Sequence, residues 1–159
     1  MVQTSVSSCT KDETIYDTVT VIKTDTLVIQ DTAITLQLLT STSWKTQEIR
    51  GVIGNTLLFY SRSSNSNTED YSNEYITFSA DKTGVLYDAA GALHQLTWNF
   101  NNNTNTKLTY IVQNPAPLAS QTVVYENLRY KNNALLFDQY WTYSNVNSHA
   151  QVIRSPKDY

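Results

Sequence analysis

The chain has 159 residues with 11 Lys and Arg against 14 Asp and Glu, a formal net charge of −3, a length that fits one domain with a short tail and allows a real core. The basic residues are scattered, so no stripe exists to neutralise phosphates and no nucleic acid is expected as a partner. No run reaches the roughly 18–20 apolar residues of a membrane helix, and the single cysteine excludes an internal disulfide and any multi-thiolate metal site. With 4 Gly, 3 Pro and abundant Val, Ile, Leu, Tyr and Thr, the composition favours strands.

The cysteine, Cys9, follows Val6-Ser7-Ser8 and precedes Thr10-Lys11-Asp12-Glu13. Those neighbours are too polar for the usual fate of a free cysteine, burial as a small hydrophobe. Val6-Ser7-Ser8-Cys9 resembles a bacterial lipobox, in which small residues precede a cysteine that is diacylated and becomes the first residue after signal cleavage. The resemblance implies that Cys9 is a lipid anchor and a membrane is a partner. Lys11, Asp12 and Glu13 resemble the Lys-acidic-acidic signal that routes lipoproteins of the Bacteroidota to the outer face of the outer membrane. Only Met1 to Ser5 lie upstream of this stretch. The charged start and apolar core of a signal peptide are therefore missing, and a start codon assigned too late, or a trimmed chain, is expected. The plain alternative is a solvated N-terminus whose cysteine has no role.

Asp17-Thr18-Val19-Thr20-Val21-Ile22 returns eight residues later as Asp25-Thr26-Leu27-Val28-Ile29-Gln30, followed by Asp31-Thr32. Thr alternating with branched apolar residues favours extended backbone. An exposed strand edge needs a partner or a shield, so this segment is expected to dock on the domain, pair with another copy, or be covered. Three Asp-Thr-apolar triplets resemble the general O-glycosylation acceptor of the same phylum, which marks Thr18, Thr26 and Thr32 as candidate glycan sites. The domain division expected from these features is an anchor and spacer over 1–35 and a β domain over 36–159.

In AITLQLLTST, Leu36, Leu38 and Leu39 predict a short helical turn. Strands are then predicted through Trp44 to Arg50, Thr56 to Arg62, Tyr75 to Ala80, Gly84 to Asp88, Leu93 to Phe100, Lys107 to Gln113, Thr122 to Tyr130, Ala134 to Tyr143 and Ala150 to Ser155. Hairpin-sized connections at Asp81 to Gly84, Ala89 to Gly91, Asn101 to Asn105 and Lys131 to Asn133 carry Gly, Asn or Asp, which tolerate positive φ. Successive hairpins predict an all-β antiparallel up-and-down meander, closing into a barrel of 8–9 strands that abolishes its own edges. The polar insertion from Ser61 to Asn73 is expected to cover or decorate one mouth.

The order Leu39-Thr40-x-x-Ser43-Trp44-Lys45, Tyr75-Ile76-Thr77-Phe78-Ser79-Ala80-Asp81-Lys82-Thr83-Gly84, Leu96-Thr97-Trp98-Asn99-Phe100, Leu135-Leu136-Phe137 and Val152-Ile153-Arg154-Ser155 is similar to the lipocalin-like lipoproteins of the Bacteroidota. In that family a tryptophan opens the first strand and an arginine closes the last. One departure is Lys82-Thr83-Gly84 where Asp-Gly is more usual, which alters a turn type. The resemblance implies a lipocalin-like barrel, surface-exposed on the outer membrane. It further implies a non-enzymatic protein that binds a small apolar ligand or an envelope partner.

By strand parity His94, Leu96, Trp98 and Phe100 share one face. Trp44, Phe78, His94, Trp98 and Phe100 are thus the candidates for barrel-interior or ligand-facing positions, with His94 either contacting a ligand or satisfied at the rim. His149 is expected in a polar turn before the last strand. No Cys, His or carboxylate cluster has metal spacing, and no nucleophile elbow, phosphate loop or HExxH helix occurs. Neither metal, cofactor nor catalytic residue is expected. Glycan cleavage would need two carboxylates across one cleft, and the loop acids Asp70 and Glu74 are expected to be solvated. Two further readings are a structural or adhesive protein that self-associates through residues 16–32, and a glycan-binding surface protein.

Overall fold

The computed structural model describes residues 32–114, 119–143 and 145–157. Cys9, Lys11, Asp12, Glu13, Thr18, Thr26 and nearly all of the repeated segment lie outside the described residues. The described chain opens with α1 (Leu36–Thr40), then β1 (Ser43–Ile53), β2 (Thr56–Ser61), β3 (Tyr75–Phe78) and β4 (Thr83–Tyr87). It continues through β5 (Leu93–Phe100), β6 (Leu108–Gln113), β7 (Gln121–Lys131), β8 (Ala134–Tyr143) and β9 (Val146–Pro156).

Every strand pairing is antiparallel between neighbours, and β9 returns to β1, which closes an eight-stranded barrel with β2 as an additional strand. The alternation in sequence becomes an inside and an outside. Trp44, Thr46, Ile76, Phe78, Leu96, Trp98, Leu108, Tyr110, Tyr125, Phe137, Val152 and Arg154 are all buried, while their strand neighbours face outward. A bulge between Thr46 and Glu48 in β1 shifts the parity, so that Ile49 rather than Glu48 points inward. A second irregularity in β7, with Asn127 at φ 52, does the same for Leu128.

The turns carry the residues their geometry needs. Asn105, Asn132 and Asn133 adopt positive φ in the hairpins. In the β3–β4 turn, Lys82 takes φ 71 and the Asp81 carboxylate accepts from both the backbone N–H and the hydroxyl of Thr83. Those two bonds hold the Asp81 carboxyl below its ordinary range. Gly84 follows because a Cβ there would sit 2.3 Å from the Thr77 carbonyl oxygen.

Two strands run further than their patterns predict. β1 continues to Ile53 and β9 begins at Val146, because the two pair from Trp44↔Pro156 to Ile53↔Ser148. The ladder holds polar Asn147, Ser148 and His149 extended, so His149 lies within a strand and not in a turn. Its ring stacks on Tyr140 on the outer wall, centroids 4.6 Å apart.

One end of the barrel is plugged. α1 starts with Thr35 capping the Leu38 N–H and lays Leu39 and Ile34 into the core. The Trp44 indole donates to the Leu39 carbonyl at 2.8 Å, and Asn105 Nδ2 donates to the Ile34 carbonyl at 2.8 Å. Thr32 is exposed and bridges to Tyr130 by backbone.

Candidate functional site

The other end differs because the β1 edge divides. Ser43–Lys45 pair with β3, whereas Glu48–Ile53 pair with β2. An additional strand therefore enters the wall at the open end only, and more strands mean a wider barrel. No ladder joins β2 to β3. Residues 62–74 cover the seam: Arg62 donates through Nε and Nη2 to the Thr46 carbonyl and through Nη2 to the Ser72 carbonyl at 3.1 Å. The Glu74 carbonyl accepts from the Thr46 N–H. The free edge of β2 is blunted by the same insertion, since Thr68 takes both the N–H and the carbonyl of Phe59 and Asn67 does so for Ser61.

Behind this widened wall is a cavity of about 240 Å³. Its apolar lining comes from Ile49 and Ile53 of β1, Leu58 of β2, Leu86 of β4, Val112 of β6 and Val123 of β7. Trp141 stands at one side, and Asp88 and Ala89 of the β4–β5 turn at another. Gln121 and Gln139 add amide groups. Tyr71, Glu74 and Tyr110 also reach it.

A buried polar layer separates this cavity from the plugged end. Arg154, only 2 % exposed, donates to Glu74 Oε1 at 2.6 Å and to the Trp44 carbonyl at 3.4 Å, and Thr46 donates to the same Glu74 oxygen at 2.8 Å. Burial opposes the guanidinium charge, but Tyr125, Glu74 and Tyr110 around it outweigh that and raise its pKa above the ordinary value. Burial likewise raises the phenols of Tyr110 and Tyr125, and it pushes Tyr71 up to about 12 with Glu74 adding to the effect. Glu74 is therefore not the solvated loop acid expected from its neighbourhood. It is the counterion of the barrel's buried arginine.

At the rim His94 Nε2 lies 2.9 Å from Asp88 Oδ2, and Asp88 Oδ1 accepts from the Ala92 N–H. Desolvation raises the Asp88 pKa, yet the bonds from His94 and Ala92 prevail and the carboxyl is held below its ordinary value. His94 sits at the rim with its Nε2 on Asp88 and its Nδ1 buried without a partner among the described residues, so it is only half satisfied there. The remaining candidates fall elsewhere. Trp44, Phe78 and Trp98 are core at the plugged half, with the Trp98 indole shared between the Ser79 and Thr83 carbonyls. Phe100 is half-buried against Trp98, centroids 5.3 Å apart.

Five buried side-chain polar atoms lack a hydrogen-bond partner among the described residues. His94 Nδ1, Gln139 Oε1 and Ser148 Oγ belong to the open half, Tyr125 Oη and Arg154 Nε to the polar layer. Of the five, Gln139 Oε1 lies on the cavity wall, and because buried polar groups are normally satisfied it offers an acceptor to a guest. No group of three or more His, Cys, Asp or Glu among the described residues is arranged to hold a metal ion.

Sequence reasoning named Glu74 only as a solvated loop acid, and it did not single out Gln139 or the division of β1. Strand parity marks Tyr110 and Gln139 as inward, but nothing in the local pattern shows that Glu74 meets Arg154, which is 80 residues away. These features define a class, a closed antiparallel β-barrel with a plug at one end and a cavity at the other. Compared with protein-family models, curated proteins and solved structures, the chain finds no match.

Proposed function

We propose that this protein is a lipocalin-like binding protein that holds a small, largely apolar molecule in the open end of its barrel. The observation that carries the reading is the one-ended interior: aromatic packing and a helical plug at one end, a cavity of about 240 Å³ at the other. Sites for small molecules are concave, mostly apolar and furnished with a few polar groups that fix orientation. Binding, not catalysis, is supported by the state of the carboxylates that reach the cavity. Glu74 is held by Arg154 and Thr46, and Asp88 by His94 and the Ala92 N–H.

In the same reading the domain is tethered to the outer membrane surface through an acylated Cys9, with Lys11, Asp12 and Glu13 as its export signal. The support is the sequence pattern described above, together with the order of motifs shared with lipocalin-like lipoproteins. Thr32, the candidate glycan acceptor within the described residues, has an exposed side chain.

Titration with the neutral fluorescent probe N-phenyl-naphthylamine tests the cavity. Saturable one-site binding is expected, abolished by Ala89→Trp, which places an indole in the mouth while leaving the core strands untouched. Binding that survives Ala89→Trp would move the site elsewhere. Intact mass of protein taken from its native host tests the tether, with acyl chains expected on wild type and lost in Cys9→Ala.

A further inference from the structure

The polarity of the cavity wall narrows the ligand, and this step rests on the binding reading above. Two carboxylates, Glu74 and Asp88, reach the cavity, and no Lys or Arg side chain lines it. The guanidinium of Arg154, which bonds to the lining residue Glu74, is fully buried. Asp88 stays ionised at neutral pH because His94 and the Ala92 N–H stabilise its charge, and it is partly open to solvent at the rim.

An anionic guest would bring a like charge to this wall with no Lys or Arg on it to receive it. A cationic guest would meet Asp88 in a wall to which Tyr71, Tyr110 and Trp141 contribute aromatic rings, side chains whose faces attract cations. Gln139 Oε1, buried without a partner on the same wall, is a further acceptor for a donor group. The volume of about 240 Å³ lies just below the roughly 300 Å³ at which sites for drug-sized ligands begin. The guest is therefore small.

We propose that the cavity selects small organic monocations with an apolar body, of the arylalkylamine class, over carboxylates of the same size. The wall is apolar on most sides for the ring, with Asp88 at the rim as the counterion of the ammonium group. Carboxylate-headed lipids, a natural expectation for an apolar barrel, are disfavoured by the same charges.

Three isosteric probes separate the possibilities: phenylethylamine, phenylethanol and phenylacetate, titrated at neutral pH and read from the Trp141 indole N–H resonance and by displacement of N-phenyl-naphthylamine. The amine is expected to bind about tenfold tighter than the alcohol, with the acid weakest. In Asp88→Asn, which keeps an acceptor for the Ala92 N–H, the amine should fall to the level of the alcohol. Unshifted indole N–H resonances of Trp44 and Trp98, remote from the cavity, show that the variant is folded. Alcohol or acid binding as tightly as the amine in wild type, or an amine preference that survives Asp88→Asn, would overturn the inference and leave the binding reading standing. Failure of all three probes and of N-phenyl-naphthylamine would overturn both.

Discussion

The two ends of the barrel are built from the same strands and the same inward-outward alternation, yet one is solid and the other hollow. At the plugged end the inward positions carry Trp44, Phe78, Trp98, Leu108, Leu128 and Leu135, and α1 adds Leu39. Their rings interlock edge to face, with Phe78 and Trp98 centroids 5.4 Å apart. At the open end small residues, Gly51, Val112, Val123, Ser148 and Ala150, are set between larger ones such as Ile53, Leu86 and Trp141, while β2 widens the wall. Large side chains in a ring of eight strands fill it; small ones in a wider ring cannot. Orphaned polar atoms follow the same division, since both indoles at the plugged end find carbonyl partners.

Alkaline pH probes the layer between the two ends and carries the largest expected effect. Folding raises Tyr110 and Tyr125 above their ordinary value of 10.0. The stability they contribute is therefore intact below pH 10 and is lost as pH climbs from there toward the folded pKa values. Each should remove about 1.4 kcal/mol per pH unit over that window. Tyrosinate absorbance during the titration should show Tyr71 ionising near pH 12 in the folded state, with Tyr110 and Tyr125 appearing only on unfolding. Early ionisation of those two would mean that water reaches the buried polar layer.

Trp44→Ala should lower stability in urea by about 4–5 kcal/mol, because it opens a void in the packed end and leaves the Leu39 carbonyl without its donor. Val112→Ala, beside space that already exists, should cost about 1 kcal/mol. Equal losses from the two variants would erase the distinction between the ends. Glu74→Ala is expected to cost about 3–4 kcal/mol, since it strands a fully buried guanidinium. An Arg154→Met substitution in that background should recover part of the loss, and no recovery would show that the pair is not the source.

Smaller changes address the seam and the turn. Arg62→Ala removes three charge-assisted bonds to backbone carbonyls and should cost about 2 kcal/mol, with faster hydrogen exchange confined to β2 and residues 62–74. Exchange that rises equally in β5 and β6 would argue against a local seam. Lys82→Gly should change stability by less than about 0.5 kcal/mol. Relief of the positive φ is offset by loss of the ammonium 4.1 Å from the Trp98 ring centroid. A clear gain would mean that the cation–π contact contributes little.

The nine strands were readable because each is short, alternating and bounded by Asn, Asp or Gly, and the structure places one in each predicted stretch. Leu36, Leu38 and Leu39 marked the helical turn for the same local reason. His149 was misplaced because Asn147, Ser148 and His149 have no strand pattern of their own and are held extended by β8, with β1 on the other side of Ser148 and His149. Glu74 was read as solvated because a loop acid beside tyrosines looks the same locally whether it meets water or a distant arginine. The insertion from Ser61 to Asn73 was expected to cover or decorate one mouth; its bonds to the β2 edge depend on the division of β1, which no single segment encodes.

By itself the sequence determined the antiparallel meander and, away from the bulges in β1 and β7, the faces that turn inward, since these follow from local alternation and turn chemistry. Only the tertiary structure decided where β2 enters the wall, which charge neutralises Arg154 and where the cavity opens. Those outcomes depend on contacts between residues far apart in the chain, whose register is settled only when the barrel closes.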